Sequence, residues 1–259
     1  MEPLLAASRI RSVEEACLNG WPSLRGIVYD GWLLRFADGY TRRSNSVHLL
    51  TQGSLDPAEK AAACEAIYAA QGLPPIFCLS SATPSPLDAI LDGRGYEPPE
   101  DETRVLYRDL SGDLPRPGGV ELTEGRPSEA WLAALARLQD QGDRAQGLHR
   151  RILEALCVPA AFAAAVADAR PAALAFGAVH DRIVCVNSVA TDRAFRRRGL
   201  ARQAIAAILA WAQERCGATG ACVPVVAANG PAVALYEGLG FRTEAFRYHY
   251  RRRPGAGEI

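Results

Sequence analysis

Lysine is almost missing from this 259-residue chain: Lys60 is the only one, so the other basic residues among the 29 Lys and Arg are arginines. Such lopsided usage reads as codon bias in a GC-rich genome rather than as selection for phosphate, so arginine clusters need independent support before they count. A charge excess is lacking too, because 29 acidic residues balance the 29 basic ones. Formal neutrality removes long-range attraction to nucleic acid or to an anionic membrane, and neither is expected as a partner. No apolar run is long enough for a membrane span, and Met1 to Ser12 lacks the apolar core of a signal peptide, which predicts a soluble, cytoplasmic protein. No Cys-x-x-Cys spacing occurs among the seven cysteines, an odd number, so neither a disulfide framework nor a zinc site is indicated.

What is present is ample apolar material, 49% of residues, enough for one large domain or two modest ones. In the first half the patterns predict a short helix from Ser12, a hairpin of Gly31–Phe36 with a return over Thr41–Leu50, and a helix from Asp56-Pro57 to Gln71. A strand over Pro75–Ser80, a helix over Ser85–Asp92 and a strand over Thr103–Leu110 follow. The Gly- and Pro-dense stretch Ser111 to Gly119 reads as a linker. Beyond it, helices are expected over Ser128–Gln141 and Arg150–Ala169, and strands over Ala172–Val179 and Ile183–Ala190. A helix from Gly199 to Cys216, a strand over Ala221–Ala227, a helix over Pro231–Leu239 and a strand over Thr243–Arg251 complete the chain.

The most informative segment runs from Val189 to Gln203, where an apolar strand crosses a polar turn and enters an amphipathic helix through Arg196-x-x-Gly199-x-Ala201. Amides in a helix's first turn lack intrahelical acceptors, and the dipole end is positive, so a diphosphate can accept from several of them together. Gly199 and Ala201 suit that role by being small. By itself the pattern also fits a plain strand–helix connection. A second block follows a short strand: Asn229-Gly230-Pro231-Ala232-x-x-Leu235-Tyr236-x-x-x-Gly240-Phe241.

In this order the two blocks resemble the GNAT superfamily of acyl-CoA-dependent N-acyltransferases, over roughly Ala172 to Arg252. The resemblance implies an α/β fold of the α+β type, a mixed, mostly antiparallel twisted sheet flanked by helices, with acetyl-CoA as co-substrate and no metal. Carried over position by position, it implies that Val189, Ala190 and Thr191 pair their backbone with the pantetheine arm. Arg197, Arg198, Gly199, Leu200, Ala201 and Arg202 then hold the diphosphate, with Arg196 adding charge at the same turn. Asn229 matches an asparagine near the cofactor arm, and Tyr236 a tyrosine that protonates the departing thiolate; its ring could equally anchor the core.

For acyl transfer the amine must be neutral and the thioester oxygen needs a donor, which a backbone N–H near Val189 can supply. Many family members carry a carboxylate on the strand before the diphosphate loop, but here that strand reads Val184-Cys185-Val186-Asn187-Ser188. Deprotonation through ordered water is the favoured route. Asp181 or Asp192, or an amine already partly neutral, remain alternatives. His180 and the Tyr248-His249-Tyr250 segment are assigned to turn and packing, and Arg251-Arg252-Arg253 to a solvated tail.

Ile90-x-x-x-x-Gly95-Tyr96 parallels Leu235-x-x-x-x-Gly240-Phe241, each followed by a strand, which predicts two tandem GNAT-like halves over 1–112 and 118–254. The first half has Leu91 in place of Tyr236 and no Arg-x-x-Gly-x-Ala, so it is not expected to bind CoA. Trp32, Arg35, Tyr40, Arg42 and Asn45 are candidates for the amine pocket, or else core and solvated residues of a stabilising half. The expected activity is transfer of acetyl to a primary amine of a small molecule or peptide in a ternary complex, by a monomer or homodimer. A non-catalytic acyl-CoA sensor is the alternative; a dinucleotide-binding oxidoreductase fits poorly because no Gly-x-Gly precedes Gly199.

Overall fold

The computed structural model describes residues 5–114 and 116–254. Met1 to Leu4 of the segment expected to lack a leader, and Pro115 of the expected linker, lie outside the described residues. In chain order the first elements are α1 (Ala7–Asn19), β1 (Arg25–Tyr29), β2 (Trp32–Phe36), β3 (Val47–Leu49), α2 (Pro57–Ala70), β4 (Ile76–Ser80), α3 (Leu87–Gly93) and β5 (Glu100–Asp109). Then come β6 (Val120–Glu124), α4 (Glu129–Leu138), α5 (Asp143–Glu154), β7 (Ala160–Ala167), β8 (Arg170–His180), β9 (Ile183–Thr191), α6 (Leu200–Cys216), β10 (Gly220–Val226), α7 (Gly230–Gly238) and β11 (Thr243–Arg252). The architecture is the expected α+β type, a mixed sheet flanked by helices, with six of the eight recorded strand pairings antiparallel.

Packing divides the chain into two compact units, and each has interleaved segments. The first comprises Met1–Pro22, Val105–Val225 and Asn229–Ala245; the second comprises Ser23–Arg104, Val226–Ala228 and Phe246–Ile259. A single cut at Ser111–Gly119 does not describe this grouping, because α1 packs on β8 and β9 of the first unit while Tyr248–Arg252 of β11 pair with β4 in the second.

In the first unit, β6 to β9 form an antiparallel meander and β10 joins β9 in parallel. Helix α6 lays Ala204, Ile205, Ile208 and Trp211 on this sheet, as its apolar spacing predicts. It ends where Gly217 adopts φ 63° and Ala218 donates back to Ala212, satisfying carbonyls of the last turn. Contact between helix and sheet is close at Gly177 of β8, where a Cβ would sit 2.3 Å from Ile208 Cγ2 and 2.8 Å from Val184 Cγ2.

The second unit holds the hairpin. Its turn is Asp30-Gly31, with φ 40° and 81°, so β1 and β2 are the hairpin strands and β3 pairs beyond them. Asp56 accepts from the amides of Ala58 and Glu59 and starts α2 as expected. Lys60, fully buried, donates to the carbonyls of Asp30 and Gln52 at 2.6 and 2.8 Å, lies 3.0 Å from the Asp30 carboxylate and sits 4.2 Å from the Trp32 ring. The run Arg251–Arg253 is not a solvated tail. Arg251 is 1% exposed, pairs with Asp88 and Asp92 and donates to the Glu97 carbonyl, while Arg252 and Arg253 pair with Glu100 and Glu65.

Three further elements depart from expectation. Helix α1 starts at Ala7 rather than Ser12, whose hydroxyl instead donates to Asp181. The expected helix over Arg150–Ala169 is in fact the end of α5 plus strand β7; Ala160–Ala167 is alanine-rich but paired between β6 and β8 and almost entirely buried. Strand β6 arises directly after the linker stretch. Among the described residues no helix is long and apolar enough to cross a membrane.

Two outcomes test this packing. Gly177→Ala should destabilise by about 1–3 kcal/mol through overpacking, read as a lowered Tm. Acylation of native protein by an amine-reactive ester should leave Lys60 unmodified, and peptide mapping after unfolding should show it labelled.

Candidate active site

The site is built where two parallel strands part. β9 and β10 pair only at Ile183↔Gly220, Val184↔Ala221 and Cys185↔Cys222, although β9 continues to Thr191 and β10 to Val226. On its other side β9 stays with β8, with one irregularity: Ala190 faces Leu174 and Asn187 faces Phe176, so Ser188 and Val189 together oppose Ala175. Ser188 takes φ 49°, the mark of a bulge that re-aims the strand. The backbone of Val189, Ala190 and Thr191 thus has a sheet partner on the β8 side and an open edge towards β10.

After Thr191, Asp192 turns the chain by accepting from the Ala194 amide at 3.0 Å, and Phe195 buries its ring beneath the guanidinium groups of Arg170 and Arg198, each 5.1 Å away. Arg197 and Gly199 adopt φ 63° and 77° before α6 begins. A Cβ on Gly199 would meet nothing within 4 Å, so glycine is required here for backbone conformation while the space above it stays open. Gln203 is the first residue of the helix to donate backward, to the Gly199 carbonyl. Among the described residues the amides of Leu200, Ala201 and Arg202 have no protein acceptor, and no side chain caps the helix. Arg196, Arg197 and Arg198 are exposed around this entrance. Arg202 differs: its guanidinium donates to the Gly238 carbonyl at 2.8 Å and ties α6 to the end of α7.

Asn229 caps α7, accepting from the Ala232 amide at 3.2 Å. Tyr236 in that helix is buried, with its ring 6.2 Å from Phe241. Burial, assisted by Cys185, pushes its phenol up to about 12, which keeps the proton on the oxygen at neutral pH.

The five hairpin candidates belong to the second unit and do different work there. Trp32 is core. Arg35 is buried and donates to the Arg43 carbonyl, and burial lowers it to about 10. Asn45 accepts from Ala37 and Gly39 and donates to Tyr40 and Thr41, so its amide is consumed in shaping the loop. Arg42 pairs with Glu100 and Asp101, and Tyr40 is half-buried. Of the alternative bases, Asp192 is held low by the Ala194 amide and by Arg137 and Arg170, and Asp181 accepts from Ser12.

Residues 7–253 match the family described as "Probable histone acetyltransferase Rv0428c C-terminal". The chain belongs to this GNAT acetyltransferase family. It is 26% identical over 247 residues to an uncharacterized N-acetyltransferase, YobR, of Bacillus subtilis (strain 168), a match spanning 93% of this chain and 98% of the relative. Its fold resembles a GCN5-related N-acetyltransferase from Kribbella flavida, with a TM-score of 0.69, 22% identity and coverage of 97% and 96% of the two chains. A tandem GNAT protein from the clavulanic acid biosynthesis pathway matches with a TM-score of 0.58 and 13% identity over 80% of this chain and 74% of the other.

Two features of this GNAT site escaped the sequence. His149, on the buried stripe of α5, is 2% exposed and brings Nε2 to 3.4 Å from Ser188 Oγ at the bulge, with Trp21 edge-on at 5.0 Å. The one available signal was a histidine among Leu148, Ile152 and Leu153 on an apolar face, which reads as core. At the last paired rung, Cys185 and Cys222 gather their sulfurs with that of Cys17 within 4.8 Å, a grouping that sequence spacing could not reveal. Contacts to Cys17 and Cys185, and burial, push the Cys222 thiol up, which keeps the proton on its sulfur.

Because Asn45 spends its whole amide on the loop, Asn45→Ala should cost about 1–3 kcal/mol of stability, measured by denaturant titration. The CoA affinity of that variant should match the parent protein.

Proposed function

We propose that the protein transfers the acetyl group of acetyl-CoA to a primary amine by direct attack within a ternary complex. The observation that carries this reading is the set of acceptorless amides at Leu200, Ala201 and Arg202, opening beside the parted edge of β9. Three converging N–H groups at a helix's positive end suit a diphosphate, and the open space at Gly199 lets it approach. Arg196, Arg197 and Arg198 add charge from the rim. Val189, Ala190 and Thr191 offer the pantetheine arm a strand edge to pair with. The residues present therefore fit CoA, which brings the activated acetyl group.

Each chemical duty then has an address. A bulge amide at Val189 or Ala190 donates to the thioester oxygen as negative charge builds there. Tyr236, kept protonated by burial, donates to the leaving sulfur. Asn229 and Arg202 support from behind, the first by capping α7 and the second by tying α6 to it.

The same reading treats the chain as two GNAT-like halves, 1–112 and 118–254, the second catalytic. Support comes from element order: β3–α2–β4 and β9–α6–β10 are both parallel pairs joined through a helix, each followed by another helix and a long strand. Helix α2 of the first copy opens at Asp56-Pro57 with a side-chain cap and not at a glycine, which supports a non-catalytic role for that copy. The same reading takes the protein as a cytoplasmic, metal-free monomer or homodimer. Description of the matched family as a probable histone acetyltransferase puts peptide and protein amines first among acceptors to test.

An acceptor panel read by free-thiol release tests the reading: amine-dependent thiol release supports it, and CoA binding without turnover on any amine contradicts it. Tyr236→Phe should lower kcat by about 10–100-fold while leaving CoA affinity within a factor of two.

A further inference from the structure

The strand before the diphosphate loop lacks a carboxylate where acyl transfer to an amine needs a proton acceptor, yet a polar pair, its histidine buried and its serine half-buried, stands at the bulge. Ser188 immediately precedes Val189, the first of the amides placed on the thioester oxygen, and its Oγ lies 3.4 Å from His149 Nε2. That distance is long for a tight hydrogen bond, as catalytic contacts often are before substrate is bound. Two neighbours hold the ring. The Gln141 side-chain nitrogen lies 3.1 Å from Nδ1 and also donates to Gln139 Oε1 at 2.8 Å, and Trp21, which stacks on Phe176 of β8 at 6.1 Å, stands edge-on to the ring. His149 is also part of the wall of a cavity of about 400 Å³ between α4 and α5, whose lining includes Gln141, Asp143, Gln146 and Glu129. A buried imidazole that touches both a polar cavity and the bulged strand is an expensive feature for packing alone, since leucine would fill the same stripe on α5 without a polar group to satisfy.

We infer that His149, acting through the Ser188 hydroxyl, takes the proton released when the acceptor amine attacks the thioester. This rests on the acetyl-transfer reading above. As the C–N bond forms, the amine proton passes to Ser188 Oγ and the Ser188 proton to His149 Nε2, giving an imidazolium. The C–S bond breaks, and Tyr236 protonates the sulfur. The imidazolium then loses its proton to solvent, Tyr236 regains one, and no oxidant or further reactant is needed. As placed, the Gln141 nitrogen donates to Nδ1 and leaves the ring proton on Nε2. The relay uses the state in which the Gln141 and Gln139 amides both take a half-turn, so that the Gln141 oxygen accepts from Nδ1–H and from the Gln139 nitrogen and Nε2 presents its lone pair to the serine, a change of hydrogen bonding but not of shape.

His149→Gln keeps hydrogen-bonding capacity but cannot accept a proton. Its kcat for an amine turned over by the unaltered protein should fall about a hundredfold, with KM for acetyl-CoA and CoA affinity unchanged. His149→Ala should fall similarly and recover in part with added imidazole, which fits the vacated space. Ser188→Ala should lower kcat about tenfold, because the relay loses its bridging oxygen. A His149→Gln protein that retains full kcat, or a His149→Ala protein with parental CoA affinity whose loss imidazole does not restore, overturns the relay while acetyl transfer stands. Absence of turnover by the unaltered protein on every amine, with CoA bound, overturns both.

Discussion

Everything in the first unit is arranged around a pairing that stops. Two parallel strands share three rungs and then separate above Cys185↔Cys222, and the peptide groups left over have no second strand to satisfy them. Folding a chain this way is costly unless something else stabilises the gap. Below it, three thiols, Trp211 and the alanine-rich strands close the core; beside it, β8 keeps β9 in register except at the Ser188 bulge. Above it, the turn through Arg197 and Gly199 takes up two left-handed residues so that α6 starts with its amides facing outward. Those departures from regular structure occur within twelve residues of sequence and converge on one place. Such concentration of strain and unmet hydrogen bonding is the usual signature of a functional site.

Much of this was legible in the sequence because the signals were local. Gly199 as helix opener, Asp56-Pro57 as cap and first residue, and the apolar stripe of α6 each follow from chemistry within a few positions. The paired blocks at Arg196–Ala201 and Asn229–Phe241 added an order that identified the family resemblance. What escaped depended on contacts far apart in sequence. Ala160–Ala167 has helical propensity, but being sandwiched between two strands overrides it. The apolar patterns of Gly31–Phe36 and Thr41–Leu50 suggest a hairpin between themselves, whereas the turn lies at Asp30-Gly31 and pairs β2 first with β1, a strand the pattern does not reveal. The Arg251–Arg253 run looks solvated in isolation, but Arg251 is buried against the carboxylates of Asp88 and Asp92, about 160 positions away. His149 and Ser188 lie 39 positions apart and were invisible as a pair.

The second unit illustrates how a related topology can be stabilised without such a site. Its parallel pair is also bridged by a helix, but the polar groups near the hairpin are turned inward on themselves: Lys60 on two carbonyls and Asp30, Asn45 on four loop groups, Tyr68 on the backbone of Arg35. Satisfied in this manner, they rigidify their own unit. The first unit instead leaves the amides of Leu200, Ala201 and Arg202 without a protein acceptor among the described residues.

The central claim is that the α6 entrance holds a diphosphate through its amides. Calorimetric titration of the protein with CoA, and separately with pantetheine, which shares the arm but lacks the diphosphate, tests it most directly. The account predicts that CoA binds and that pantetheine binds at least about a hundredfold more weakly, a difference of roughly 2.7 kcal/mol. Equal affinity for the two, or no heat with either, contradicts it.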